Sequence, residues 1–169
     1  MRQRFALAAL AIGTLAFSTA WAGDFSADAA PSGAHFANGA SAPSCTVNSN
    51  LTVSCTGTVI SGVGNLDANV TVNTSYSGVV TCTNNGGNTV EVKTQSTSSS
   101  VLPDPVTSVK NGTMTVRAVT FGGTSGLIAS AECPNGKWTK TLASATLLSY
   151  SYTLTFEGFS QPAITITGP

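Results

Sequence analysis

Short alternations of apolar and polar residues recur along most of this chain and predict β-strands. In LTVSCTGTVI the residues Leu51, Val53 and Cys55 share one parity. A period of two places such residues on one face of a strand. The clearest strand is SATLLSYSYTLTF. From residue 148 onward Ser and Thr take its odd positions and large apolar residues take the even ones: Leu148, Tyr150, Tyr152, Leu154 and Phe156.

The longest alternation covers residues 66–82. At about 3.3 Å per residue it would extend roughly 56 Å, which is longer than small domains usually pair. We therefore predict a bend or corner at Ser77-Gly78, because glycine inside a strand often marks one. The even positions of this run are predicted to face inward: Leu66, Ala68, Val70, Val72, Tyr76, Val80 and Cys82.

Turn signals divide the rest of the chain. The sequence NNGGN at 84–88 precedes a predicted short strand around Val90 and Val92, which a Ser-rich loop and a Pro-Asp-Pro turn at 103–105 follow. Asn111-Gly112 predicts a hairpin. A turn at EGFSQ precedes a predicted last strand, which contains Ile164 and Ile166. This pattern of short strands predicts an all-β fold, a sandwich or barrel of antiparallel strands.

The N-terminus has the features of a secretory signal peptide over residues 1–22. Arg2 and Arg4 precede an apolar run at 5–17, and Ala20-Trp21-Ala22 is a cleavage signature of small residues around a variable one. The run is too short to span a bilayer, so we expect cleavage rather than membrane insertion. The sequence therefore predicts a secreted or extracellular protein, or a periplasmic one if the source has an outer membrane.

The remainder is predicted to contain a single β-domain at 45–169, preceded by an arm at 23–44. The arm is rich in Ala, Gly, Ser and Pro and has no sustained period. Such a composition buries little apolar surface to offset the loss of backbone entropy, so we expect the arm to be flexible.

Four cysteines follow the leader, and each lies on the apolar parity of its predicted strand: Cys45, Cys55, Cys82 and Cys133. In an exported chain they predict two structural disulfides, and the sequence allows three connectivities. A turn at 48–50 would bring Cys45 opposite Cys55, so we favour that pair and, with it, Cys82–Cys133.

Charge and composition exclude several functions. Removal of Arg2 and Arg4 from seven basic residues leaves a small acidic excess and no basic cluster, so we expect no nucleic-acid partner. The only histidine, His35, lies in the arm, and the carboxylates are scattered singly. The parts of a catalytic triad or a zinc site are therefore missing, and we expect no enzyme activity, metal or other cofactor.

Three segments support a resemblance: LTVSCTGTVISGVGNLDANVTV at 51–72, VTCTNNGGNTV at 80–90 and CPNGKWT at 133–139. Together they resemble a group of secreted bacterial proteins of unassigned activity. The resemblance implies an antiparallel immunoglobulin-like β-sandwich with two disulfides. It brings no catalytic or binding residue with it.

Trp138 is the most specific candidate for binding, because a disulfide and a turn would hold it rigidly enough to stack on a sugar; the alternative is packing over the disulfide. Our leading hypothesis is a non-catalytic structural or adhesive module whose partner is a cell-surface or matrix protein or a polysaccharide. The alternatives are a carbohydrate-binding module that uses Trp138 with help from Tyr76, a small secreted hydrolase or inhibitor, and a pilus-like subunit assembled by strand addition. The oligomeric state stays open.

Overall fold

The chain folds into antiparallel β-structure, as the alternations predict. A computed structural model describes residues 20–102, 106–110 and 112–169. The strands are, in chain order, β1 (Trp21–Ala22), β2 (Asp24–Phe25), β3 (His35–Phe36), β4 (Ser44–Val47), β5 (Val53–Cys55), β6 (Thr58–Ser61), β7 (Ala68–Thr83), β8 (Thr89–Val101), β9 (Val106–Lys110), β10 (Thr113–Val116), β11 (Val119–Phe121), β12 (Thr139–Phe156) and β13 (Ile164–Gly168). A 3-10 turn (Ala27–Ala29) and one short helix, α1 (Ser125–Ser130), complete the described elements.

The strands form three sheets around one hydrophobic core. Two sheets have four strands, in the orders β1-β4-β5-β11 and β3-β6-β10-β9, and the third has five, in the order β2-β13-β12-β7-β8. A single cluster of buried residues draws from all three: Val53 from the first, Ile60 from the second and Leu154 from the third. The fold is therefore a sandwich-like all-β structure.

Ser77-Gly78 does not form the predicted corner between two sheets. Strand β7 runs from Ala68 to Thr83 without a break because it is paired along nearly its whole length, with β12 on one side and β8 on the other. Gly78 instead permits a close approach: a Cβ there would lie 2.6 Å from the Ser144 carbonyl oxygen and 2.9 Å from Leu127 Cδ1. Leu66 lies before β7 and is exposed.

Strand β8 is much longer than predicted. The Ser-rich stretch at 98–100, which the sequence predicts as a loop, pairs with β7 in an unbroken register from Thr89 to Val101. The predicted hairpin at Asn111-Gly112 is confirmed by the pairing of β9 with β10, although Asn111 itself lies outside the described residues. The predicted turn at 103–105 lies outside them too.

In β12 the predicted inward parity holds for Tyr150, Tyr152, Leu154 and Phe156, all of which are buried. It fails at Leu148, which is 45 % exposed, whereas Leu147 is buried. The reason is an irregularity in the β12–β7 register between Leu147 and Ser149. An extra residue in one strand shifts the parity beyond it, and a second irregularity between Leu142 and Ser144 restores the original parity.

The stretch before Cys133 is also not a strand. Residues 125–130 form α1, in which Leu127 is fully buried and Ala129 is exposed. Leu127 packs against Gly78, so the helix lies on the inner side of the five-stranded sheet. A period-two pattern in six residues did not distinguish this short helix from a strand.

The segment 23–44 differs from the expected free arm. Strands β2 and β3 pair with β13 and β6, and Ala29 and Ala30 are buried. The rings of Phe25 and Phe36 meet edge to face with their centroids 5.4 Å apart. Two isolated aromatic residues and short edge pairings therefore fix a segment whose composition alone predicts disorder.

Both disulfides have the favoured pairing, Cys45–Cys55 and Cys82–Cys133. Cys45 lies directly opposite Cys55 in the β4–β5 hairpin, as the hairpin argument requires. Disulfides persist in oxidising compartments, so the chain is suited to an extracellular environment. In the part of the chain that the structure describes, no helix has the length and apolar character needed to cross a bilayer.

Candidate binding surfaces

The five-stranded sheet has one face turned away from the core, which we call the outer face. It consists of the odd-numbered residues of β7 and β8 and the residues opposite them in β12 and β13. The even-numbered residues of β7 are buried or nearly so on the other side. The outer face follows directly from the alternation in the sequence, because Ser, Thr and Asn fill the parity that the core leaves free.

Small polar side chains form rows across the outer face. Thr165, Thr153 and Thr71 lie side by side on β13, β12 and β7. The next two rows are Thr167, Ser151, Asn73 and Ser99, and then Ser149, Ser75 and Thr97. Neighbouring strands lie about 4.8 Å apart, so hydroxyl groups recur at that spacing across the sheet.

Most of these groups are available to a partner. The Asn73 amide donates to Ser151 Oγ at 2.9 Å, and Thr153 Oγ1 donates to the Thr71 carbonyl oxygen at 3.3 Å. Among the described residues, the Ser75, Ser99 and Ser149 hydroxyl groups make no hydrogen bond within the chain. Each therefore retains its full capacity to donate and accept.

Two shallow grooves follow one another along the outer face. The first has a volume of about 600 Å³ and lies over residues 73–75 of β7 and 97–99 of β8. The second, about 440 Å³, lies over 77–79 and 93–95. Charged side chains occupy only the margins of the face in the described residues: Asp24 on β2, and Glu91 and Lys93 on β8. No charged residue lines the first groove, whereas Lys93 lines the second.

Trp138 lies elsewhere, at the tip of the sheet beyond the ends of β7 and β12. It is partly exposed and lies outside the core cluster, so it is not simply a core residue. It lines a cavity of about 320 Å³ together with Asn84, Asn85, Gly86, Asn135 and Lys137. The Cys82–Cys133 disulfide joins the two chain segments that carry these residues.

Two asparagines beside Trp138 are held by their own backbone. Asn84 Oδ1 accepts hydrogen bonds from the amides of Gly86 and Asn88, each at 2.9 Å. Asn135 Oδ1 accepts one from the Lys137 amide at 3.0 Å. Their carboxamide nitrogens make no hydrogen bond to the described residues. The site therefore offers an aromatic face flanked by fixed amide donors.

Tyr76, which the sequence offers as a possible helper of Trp138, does not line the cavity beside it. It is 2 % exposed, and its hydroxyl group donates to the Leu51 carbonyl oxygen at 2.9 Å and accepts from the Gly123 amide at 2.8 Å. Tyr76 falls on the inward parity that the sequence assigns to it. Its hydroxyl group holds two loops and is not free for a ligand.

Titratable groups do not converge in the described part of the chain, where no three His, Cys, Asp or Glu residues are placed to share a metal ion. His35 is exposed, and its Nδ1 lies 2.7 Å from the Gly33 carbonyl oxygen. Burial raises the pKa of Tyr150, and it raises the pKa of Tyr152 to about 12. The hydroxyl groups of both tyrosines are buried without a hydrogen-bond partner among the described residues.

Comparison of the chain with family models, with curated proteins and with solved structures finds no match.

Proposed function

We propose that this chain is an exported, non-catalytic structural or adhesive module that makes its contacts through the outer face of the five-stranded sheet. The observation that carries the proposal is the uncharged first groove of that face, which the free hydroxyl groups of Ser75, Ser99 and Ser149 line. Its partner is a neutral, hydroxyl-rich surface, of which a polysaccharide is the simplest example. Cleavage after Ala22 and membership of the group with immunoglobulin-like sandwiches are part of the proposal.

The chemistry of the face supports this partner. Hydroxyl and amide groups are donors and acceptors at once, and so are the hydroxyl groups of a sugar polymer. Neutral polar groups lose less hydration free energy than charged groups do when a contact buries them. A wide surface of weak hydrogen bonds therefore suits an uncharged partner. Adhesion of this kind needs area rather than a deep pocket, which agrees with the shallow grooves.

The test compares charges placed on the two sides of β8. Ser99 and Ser100 are adjacent and exposed, and they point to opposite faces. Retention on insoluble neutral polysaccharides and on surface material of the source cells is measured for Ser99→Lys, Ser149→Lys and the control Ser100→Lys. We expect the two outer variants to lose about tenfold in affinity, since a buried unpaired charge is costly, and the control to bind normally.

Equal retention of all three variants would contradict the outer face as the contact surface. Release of soluble sugar from the polysaccharide, sustained over time, would contradict the non-catalytic assignment. The wild-type chain must bind at least one of these materials for the proposal to stand.

A second candidate function is sugar binding at the tip through Trp138. A partly exposed indole beside fixed amide donors favours it, because aromatic rings stack on sugars while amides bond to their hydroxyl groups. Trp21 lies in the proposed leader, so Trp138 is the only tryptophan expected in the mature chain. Its intrinsic fluorescence reports directly on the site.

The test titrates soluble oligosaccharides against Trp138 fluorescence and repeats the measurement in Asn85→Ala and in Leu148→Ala, an exposed apolar control far from the tip. We expect a saturable shift that Asn85→Ala weakens and Leu148→Ala leaves unchanged. Trp138→Ala is then compared for stability. A loss of 3–5 kcal/mol, roughly that of a buried aromatic, would identify Trp138 as a packing residue and contradict the tip site.

A further inference from the structure

Strand β8 is an unprotected sheet edge. It pairs with β7 on one side, and among the described residues no backbone hydrogen bond from 89–101 reaches any other strand. Helix α1 packs beside Thr94 and Ser96, which point to the inner face: Ser130 Oγ lies 2.6 Å from Thr94 Oγ1. The helix therefore covers part of the inner face of β8. It does not pair with the backbone N–H and C=O groups along the edge of the strand that faces away from β7.

Natural sheet edges are usually blocked by proline, by bulges, by short strands or by repeated charges. The thirteen residues of β8 contain no proline, and their register with β7 has no irregularity. Charges occur at two positions alone, Glu91 and Lys93. The strand is thus long, regular and nearly neutral, which is the kind of edge that accepts another strand.

The two charges specify the partner. They have opposite signs, are exposed and lie two residues apart on the same face. When two copies of β8 pair antiparallel about a twofold axis through Val92, Glu91 of each copy lies opposite Lys93 of the other. Opposite charges in directly facing positions stabilise a strand pair, and a twofold axis produces the contact twice.

The same register matches apolar residues. Val92 faces its own copy across the axis, and Val90, which is 39 % exposed, comes beside Thr94 of the second copy. Both valines lie on the inner parity, opposite Cys82 and Val80 in β7. Pairing in this register therefore satisfies the edge over residues 89–95 of each copy, places each of the two charges opposite its counter-charge and covers exposed valine.

We propose that β8 is a self-association edge through which two copies of this chain form an antiparallel, twofold-symmetric dimer with a continuous ten-stranded sheet. The dimer goes beyond the proposed adhesive function and would place two outer faces side by side. It does not depend on that function, because it is measured without any polysaccharide.

The experiment is a charge swap on the exported chain. Sedimentation velocity over a range of protein concentrations is measured for the wild type, Glu91→Lys, Lys93→Glu and the double variant that carries both changes. We expect each single variant to weaken dimerisation about tenfold, because two facing pairs become repulsive, and the double variant to restore it. Both residues are exposed, so folding is expected to be unaffected.

A second measurement fixes the register. In Val92→Cys the two introduced thiols face each other, so a covalent dimer is expected on a non-reducing gel, whereas the control Ser98→Cys on the same face of the same strand is expected to stay monomeric. Covalent dimers of Ser98→Cys in place of Val92→Cys would overturn the proposed register. A wild-type chain that remains monomeric at millimolar concentration, or single variants that dimerise like the wild type, would overturn the proposal itself.

Discussion

The two ends of the five-stranded sheet are stabilised by different means, although the same strands run through both. At one end, residues 68–76 of β7 and 149–156 of β12 lie on the sandwich, and their inward apolar side chains belong to the main core cluster. At the other end, Val80 and Cys82 are just as buried but lie outside that cluster. Helix α1 packs against β7 near this end, and the Cys82–Cys133 disulfide links this end to the segment that follows α1.

We call these the sandwich end and the tip end. At the sandwich end, alternate residues of each strand point inward and a second sheet buries them. The tip end shows that the same alternation can continue past the sandwich when a six-residue helix and one cross-link replace the second sheet. Inward parity thus indicates that a residue is buried, but it does not specify whether a sheet, a helix or a disulfide covers it.

The largest expected effect concerns the cross-link at the tip end. Replacement of Cys82 and Cys133 by Ser is expected to lower the free energy of unfolding by about 4 kcal/mol, and replacement of Cys45 and Cys55 by about 2.7 kcal/mol, since the stabilisation grows with the closed loop. The loops span 51 and 10 residues. Urea unfolding without reductant measures both, and the reverse order would contradict this account of the tip end.

The next test asks whether residues 23–44 belong to the sandwich end. Phe25→Ala is expected to cost about 2 kcal/mol, because it removes a partly buried ring and its contact with Phe36. Asp28→Ala, an exposed change in the same segment, is the control and should change stability by less than about 0.5 kcal/mol. Thermal unfolding measures both. Identical melting temperatures for Phe25→Ala and the wild type would support the free arm that the composition predicts.

A third test addresses the junction between the two ends. Gly78→Ala is expected to cost about 1–3 kcal/mol, because the added methyl group meets the Ser144 backbone and the Leu127 side chain. Gly136→Ala, where a Cβ meets no atom within 4 Å, should stay within about 1 kcal/mol of the wild type. Hydrogen exchange should show the Gly78 effect concentrated in α1 and the tip end. Protection lost evenly over the whole sheet would indicate that the two ends unfold as one unit.

The smallest effect concerns two tyrosines. Tyr152→Phe is expected to raise stability slightly at neutral pH, by about 1 kcal/mol, because it removes a buried hydroxyl group without a partner. Tyr76→Phe removes two hydrogen bonds and should lower it by about 1–2 kcal/mol. Urea unfolding at pH 7 compares the two variants.

The raised pKa of Tyr152 adds a pH dependence to this comparison. The folded state holds the proton up to about pH 12, whereas an unfolded tyrosine releases it near its ordinary pKa of about 10. The wild type should therefore keep full stability below pH 10 and lose part of it as the pH rises towards 12. Tyr152→Phe should lose less. An equal alkaline loss in both proteins would contradict this assignment.

The sequence predicts the fold class and the disulfides because both depend on local parity and a single hairpin. Cys45 and Cys55 flank one turn, and Tyr152 and Leu154 repeat a simple alternation. Parity fails at Leu148, where one extra residue in β12 shifts the pattern, and at α1, whose six residues are too few to establish a helical period. Such departures depend on partners distant in the chain.

For the same reason, the sequence indicates the Trp138 site more clearly than it indicates the outer face. Trp138 stands out in the sequence because it is a rare residue type next to a cysteine and a turn. The outer face was visible only as polar parity within each strand, and its rows require the register between β7, β12 and β13. The length of β8 was missed because a run of serines at 98–100 resembles a loop until β7 pairs with it.

The two strands that flank β7 in the sheet lie at very different distances from it along the chain. Strand β8 follows β7 after a five-residue turn, but the strand on the other side, β12, begins at Thr139. A chain that emerges from its N-terminus can therefore form the β7–β8 hairpin early, while the opposite edge of β7 waits for β12. During that interval β7 exposes valines and an unpaired edge, so the risk of aggregation is concentrated in the time before about the last fifth of the chain arrives.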